Sequence, residues 1–249
     1  MASPPDRHFR KGAPEPPDVF MLAYGEPNAE ENWQRLRIAW PDARLITGVA
    51  GIQAGYRACA QQATAPYFFV IDGDNYLLDA GIFRSRLRPR SNELLMWCAR
   101  NPINGLAYGH GGIKLFPTDL MRRPEPARDI DISTSVAARS RLIRRLASEH
   151  RFATDAFRTW TTAFRESVKL ARDAARGHQA SAAGALLAVW CSKGAEHPLG
   201  DYCMAGADAG RAHVALHGAD GPALGQINDR VWLRQRFNAD FPGEALVAD

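Results

Sequence analysis

Three short apolar runs early in the chain constrain its fold most. Val19-Phe20-Met21-Leu22-Ala23, Ala43 to Thr47 and Tyr67-Phe68-Phe69-Val70-Ile71 are each of buried-strand length. The stretches between them carry helical patterning. After the loop Tyr24-Gly25-Glu26-Pro27, Asn28 reads as an N-cap, with Glu30 and Glu31 in the first turn and Trp33, Leu36 and Trp40 on one side. Pro41-Asp42 breaks that helix, and a second spans Ile52 to Ala63. Strand–helix–strand–helix–strand predicts an α/β fold, a mostly parallel central sheet with helices on both faces. In such sheets ligands bind at the carboxyl ends of strands, which is where Asp72-Gly73-Asp74 follows the third run.

The remainder is less regular. Leu94 to Cys98 and Asp129 to Thr134 are strand candidates, and Tyr108-Gly109-His110-Gly111-Gly112 is a glycine-rich loop leading into Ile113-Lys114-Leu115-Phe116. Thr154 or Asp155 caps a long helix to about Ala175, with Phe157, Trp160, Phe164, Val168 and Ala171 as its apolar stripe. Further helices are expected up to Trp190, over Tyr202 to Arg211 and over Asp229 to Phe237, Asp229 reading as a cap. Five prolines in residues 1–17 mark a disordered tail, leaving 18–249 as one domain. Four scattered cysteines make neither a zinc motif nor a disulfide framework. With no membrane-length apolar run and no readable signal peptide, the expected setting is the cytoplasm, of a bacterial host if the chain is phage-encoded, with no membrane partner.

Two carboxylates two residues apart, after a buried strand, are costly unless a cation neutralises them. A hard divalent metal suits such oxygens and bridges to phosphates. A polar turn uses the same residues.

Gly51-Ile52-Gln53-Ala54-Gly55-Tyr56-Arg57, then a helix, Ala65 to Ile71 and Asp72-Gly73-Asp74 resemble the donor-binding half of GT-A glycosyltransferases. Tyr24 to Trp33, Asn101-Pro102-Ile103-Asn104, Tyr108 to Leu115, and Thr154 to Trp160 through Ala163-Phe164-Arg165-Glu166 resemble a small phage and bacterial family of GT-A-type transferases, some linked to glycosylation of hydroxymethylated DNA bases. The resemblance implies a single GT-A, Rossmann-like domain and metal-dependent transfer of a sugar from a nucleotide-sugar donor, a UDP-sugar by expectation, to a hydroxyl. The acceptor it implies is 5-hydroxymethylcytosine or a related base in phage DNA. Asp72 and Asp74 would hold Mn2+ or Mg2+, with His217 as third ligand ahead of His213 and His197. Tyr24, Gly25, Glu26, Gly51, Gln53 and Asp72 would line the donor pocket. Gly109 to Gly112 would let a ligand approach the backbone, with His110 contacting sugar or phosphate and Lys114 balancing diphosphate charge. Asp155 would be the base of an inverting transfer; the helix-cap reading needs the same residue and stays open.

Net charge is 31 − 27 = +4, yet residues 122–176 hold 13 Lys+Arg against 7 Asp+Glu, a local 13 − 7 = +6. Arg84, Arg86, Arg88 and Arg90 fall on every second residue, and Arg141, Arg144 and Arg145 form a second cluster. Both are expected to contact a nucleic-acid backbone if they share a face with the aspartates. A duplex acceptor also requires base flipping, with a wedge expected near Trp97 to Arg100 or Arg84 to Arg90. Other acceptors (protein, glycan, small molecule) and a catalytically silent nucleotide- or nucleic-acid-binding protein are the alternatives.

Overall fold

The computed structural model describes residues 16–123, 129–131, 135–177 and 180–244. The three apolar runs are strands β1 (Asp18–Ala23), β2 (Arg44–Thr47) and β3 (Tyr67–Asp72), in parallel order β2-β1-β3. Helices α1 (Ala29–Ala39) and α2 (Ile52–Gln62) cover opposite faces of this half. Because side chains alternate along β1, Val19 and Met21 pack with Leu36 of α1, while Phe20 and Leu22 pack with Tyr56, Cys59 and Ala60 of α2. One local expectation is corrected at Asn28. Its side chain does not cap α1 but donates to the Arg151 carbonyl at 2.8 Å.

Beyond β3 the sheet is mixed. Its order continues through β7 (Lys114–Pro117), β5 (Glu93–Arg100), β8 (Arg139–His150) and β4 (Asn75–Leu77), with β6 (Ala107–Tyr108) paired to β5. β7 runs antiparallel to both β3 and β5, which sets Lys114 opposite Val70 and Met96. β4 leaves β3 after the Gly73-Asp74 turn and pairs antiparallel with the end of β8, placing Asn75 opposite His150. That register brings β8 to Asp74.

β8 was not among the expected strands; its sequence was read as an arginine cluster. It is a 12-residue strand parallel to β5, with two register shifts opposite Trp97, Cys98 and Ala99. Conversely, the strand expected over Asp129 to Thr134 is absent from residues 129–131, and 132–134 lie outside the described residues. The expected tail at 1–17 lies outside them too, apart from residues 16 and 17.

The C-terminal part is helical. After the short α3 (Thr118–Arg122) come α4 (Ala156–Ala175), α5 (Ala180–Trp190), α6 (Gly200–His217) and α7 (Arg230–Asp240). The predicted stripe of α4 is buried at Phe157, Trp160, Phe164 and Val168, packing with Val214, Leu233 and Phe237. Asp229 caps α7 as expected, accepting from the Val231 and Trp232 amides. Among the described residues no helix is long and apolar enough to cross a membrane.

Candidate functional site

A cleft of about 1760 Å³ lies between the carboxyl ends of β1 and β3, the cleft face of β8, and α4 with α5. Asp72 closes β3 inside it. Its Oδ2 lies 3.3 Å from Nζ of Lys114, which also donates to the Gly112 carbonyl at 3.1 Å. Lys114 is only 3% exposed. Burial works against its ammonium, but the Asp72 carboxylate, with Tyr56 and Asp131 adding to it, holds its pKa above the ordinary lysine value. The other Asp72 oxygen, Oδ1, is buried without a hydrogen-bond partner.

Asp74 heads a polar chain. His150 Nε2 lies 2.9 Å from its Oδ2, and His150 Nδ1 lies 2.8 Å from His110 Nε2. His110 Nδ1 is 3.5 Å from Glu166 Oε2, beyond good hydrogen-bond length. Glu166 Oε1 accepts from the Tyr108 hydroxyl at 2.9 Å, whose oxygen accepts from Trp190 Nε1 at 2.8 Å. With both imidazoles neutral, His150 donates to Asp74 and accepts from His110, which leaves the His110 Nδ1 lone pair facing a carboxylate. Three contacts hold two protons, so the network can take up one more.

Burial opposes the charge of both carboxylates. The histidine charge and hydrogen bonds nevertheless hold Asp74 below its ordinary value; His110, Lys169 and Tyr108 do the same for Glu166. Burial and the neighbouring His150 push the His110 pKa down. The unfolded chain protonates His110 near pH 6.5 while the folded chain resists, so this stability is complete above about pH 6.5 and is lost as pH falls. Asp74 and Glu166 add a second loss below about pH 4.5. Urea midpoints measured from about pH 8 down to about pH 2.5 should decline in these two stages, and a His110→Asn chain should lack the first.

The expected donor residues gather only in part. Tyr24, Glu26, Gly51, Asp72, Gly111 and Lys114 line the cleft; Gly25, Gln53 and Gly112 do not. Glu26 accepts from the Tyr24 amide at 2.6 Å, and its pKa is raised by burial, with Asp74 and Asp72 adding to it. Tyr24 is 54% exposed at the rim. The glycine loop departs from expectation. A Cβ on Gly112 would lie 1.9 Å from the Trp97 carbonyl oxygen, and one on Gly111 would lie 2.5 Å from the His150 ring. At those two positions the glycines make room for the protein's own packing, and Gly111 lines the cleft as well.

His217, expected as the third metal ligand, is not brought to the aspartates' cleft. It ends α6 outside the cleft lining, its ring 4.5 Å from that of His213, while His150 takes the place beside Asp74. Asp155 does not line the cleft either. Its side chain accepts from the Arg158 amide at 2.7 Å as the α4 cap and lies 3.2 Å from that residue's Nε. Asp155→Ala should therefore cost about 1 kcal/mol of stability by urea unfolding. A thousandfold loss of turnover, with folding intact, would instead assign Asp155 the acceptor proton.

The arginine clusters separate. Arg84 belongs to a 3-10 turn and lies over the Trp40 ring, Arg88 lies over Tyr67, and residues 85–90 form no strand. None of Arg84, Arg86, Arg88 and Arg90 lines the cleft. On β8, Arg141 pairs with Glu93 and Arg145 with Asp79, leaving Arg144 facing the cleft beside Leu142 and Leu146. Trp97 is 1% exposed in the core, so it is no wedge.

No family model matches the chain, and neither does any curated protein. Among solved structures, HddC from Yersinia pseudotuberculosis is similar at 15% identity over 43% of this chain and 80% of its own, with a TM-score of 0.32. A glycosyltransferase involved in glycosylation of the major capsid of PBCV-1 is similar at 11% identity over 56% of this chain and 95% of its own, TM-score 0.37. S. aureus TarS 1-349 is similar at 11% identity over 89% of this chain and 82% of its own, TM-score 0.37. These likenesses are distant, and the chemistry below rests on the chain's own residues.

A divalent cation is chemically compatible with the aspartate pair. No three His, Cys, Asp or Glu side chains among the described residues converge as a metal cage. Magnesium, however, commonly takes only one or two carboxylates and completes its shell with phosphates and water. Asp72 Oδ1, buried and unpartnered, is such an oxygen.

Sequence reasoning passed over His150 altogether and gave Glu166 and Lys169 no role. His150 carries no local motif. Only the pairing of β4 with β8 puts it beside Asp74.

Proposed function

We propose that the chain is a glycosyltransferase that moves a sugar from a nucleotide-sugar donor to a hydroxyl acceptor. The observation that carries this reading is the Asp74–His150–His110–Glu166 network, one proton short of filling its hydrogen bonds, in the same cleft as the Asp72–Lys114 pair. The ends of β1 and β3, with Tyr24, Glu26 and Gly51, form the donor half, as open α/β sheets do. Asp72 and Asp74 would hold Mn2+ or Mg2+, which when bound supplies positive charge to the donor diphosphate. Lys114 adds fixed positive charge from below.

The acceptor lies toward α4. In an inverting transfer its oxygen attacks the anomeric carbon while the sugar–phosphate bond breaks, the bonding pair leaving with the nucleoside diphosphate. The hydroxyl proton passes to the network and makes the histidine pair one imidazolium shared between Asp74 and Glu166. In this reading Asp155 serves as the helix cap and steadies Arg158. A hydroxymethylated base in DNA remains one acceptor to test. Of the arginines expected along a phosphate backbone, Arg144 alone faces the cleft, which favours a smaller acceptor.

The test incubates the protein with manganese or magnesium and a panel of nucleotide sugars, with hydroxymethylcytosine DNA, glycans, peptides or phosphorylated sugars as acceptors. Release of nucleoside diphosphate and added sugar mass are expected with at least one pairing, and loss of both in Asp74→Asn. Binding of nucleotide without release from any donor would replace this reading with that of a silent binding protein.

A further inference from the structure

The cleft face of α4 carries Arg158, Thr161, Arg165, Lys169 and Arg172, residues spaced so that they share one side of the helix. Most of these cations have carboxylate partners. Arg158 has Asp155, Lys169 has Asp131 and Glu166, and Arg172 has Asp129 and Asp173. Arg165 differs. Its Nη2 donates to the neutral Asn228 Oδ1 at 3.0 Å, and no carboxylate of the described residues lies within ion-pair distance of it. Its Nε is buried with no hydrogen-bond partner at all. One turn earlier, the Thr161 hydroxyl is likewise buried and unpartnered.

The nearby acids are engaged elsewhere. Asp131 faces Lys169, while Glu166 is taken by Tyr108, His110 and Lys169. Burial draws the Arg165 pKa below the ordinary arginine value, with Asp131, Glu166 and Asp74 pulling the other way from a distance. A partly enclosed guanidinium without a counter-charge is costly to keep. So is a buried hydroxyl without a partner. Both costs vanish if an anion sits between them. A guanidinium fork suits the paired oxygens of a phosphate or carboxylate.

We propose that Arg165 and Thr161 form an anion site in the acceptor half of the cleft, taking a phosphate or carboxylate group of the acceptor. Arg165 and Thr161 stand on the helical wall beside Asn228, whereas Asp72 and Lys114 occupy the strand-end wall. The assignment to the acceptor rests on the donor half proposed above, and the presence of the anion site does not. The acceptor is thereby an acidic molecule carrying a hydroxyl, and the anion fixes its orientation toward the His110–Glu166 end of the network.

The test titrates inorganic phosphate into the full chain by calorimetry, alone and with saturating nucleoside diphosphate. Acetate and dimethyl phosphate are parallel arms, standing for a carboxylate and for a nucleic-acid backbone. Phosphate, acetate or both should bind with nucleoside diphosphate already present. Arg165→Gln should weaken that binding at least tenfold and Thr161→Val several-fold, as expected for a lost charge-assisted and a lost neutral hydrogen bond. Arg165→Lys should retain most of it. Nucleoside diphosphate affinity should change less than twofold in all three. Unchanged anion binding in Arg165→Gln, or an equal loss of nucleoside diphosphate, overturns the site. If Arg165→Gln fails to fold, Thr161→Val and Arg165→Lys decide by the same comparison, and binding unaltered in both overturns it. If nothing in the nucleotide panel binds while phosphate still depends on Arg165, the transferase reading fails and the anion site stands. Binding of dimethyl phosphate ahead of the other two returns the acceptor to nucleic acid.

Discussion

Replacing Asp72 with asparagine is expected to lower the stability of the protein by about 3 kcal/mol, the lower end of what removing one partner of a buried ion pair costs. The reason is the lysine left behind. The Lys114 side chain is 4% exposed and that of Asp72 25%, so the variant leaves an ammonium in the interior with neutral acceptors and no paired carboxylate. Removing both charges in Asp72→Asn/Lys114→Met should restore most of the loss, since an apolar side chain needs no counter-charge there. Activity should not follow stability. Both variants should fall at least about a hundredfold in nucleoside diphosphate release, because the carboxylate proposed to hold the metal is gone in each. Urea unfolding reads the first quantity and product release the second. An Asp72→Asn chain that unfolds at the wild-type midpoint would show that the pair contributes nothing to folding.

The second large effect lies far from the acids. Gly206 and Gly210 of α6 sit directly on the backbone of α4. A Cβ at 206 would be 2.3 Å from the Trp160 carbonyl oxygen, and one at 210 would be 2.4 Å from that of Phe164. Alanine in place of a mid-helix glycine ordinarily stabilises by about 0.5–1 kcal/mol. Here each substitution should destabilise instead, by up to about 3 kcal/mol, because main chain cannot yield as a flexible side chain does. The double variant should lose less than the sum of the two, since one separation of the helices makes room for both methyl groups. Ligand binding should weaken in parallel, because Thr161 and Arg165 directly follow Trp160 and Phe164 and move with them. Urea titrations of the three variants decide it. A gain in stability at either position would mean that the helices are not in close contact.

Much of the N-terminal third was legible in the sequence because local signals and the final packing agree there. The apolar runs at Val19, Ala43 and Tyr67 are strands, and the stripe through Trp160 and Phe164 is the buried face of α4. What was illegible depends on partners distant in the chain. β8 looks like a charged loop because its arginines are neutralised by Glu93 and Asp79 from elsewhere, and its polar spacing cannot announce that. The glycine loop advertised a ligand, whereas Gly111 and Gly112 are required by His150 and Trp97. Asp155 and His217 are the residue types the chemistry calls for, but a helix cap and the end of α6 are where they stand. His150 and Arg165 become visible only in three dimensions, one through a strand register and the other through a missing partner.

The pairing of Asn75 with His150 also bears on the order in which the molecule assembles. Asp74 and His150 are 76 residues apart, and the β4–β8 ladder closes nearly the same span of chain. The β2-β1-β3 half pairs wholly within residues 18–72, which are synthesised first and close shorter loops than β4 with β8. A nascent chain can therefore build the wall that carries Asp72 before β8 has joined the sheet. The Asp74–His150–His110 chain comes into being only when that last strand docks, so the proposed proton transfer is coupled to completion of the fold.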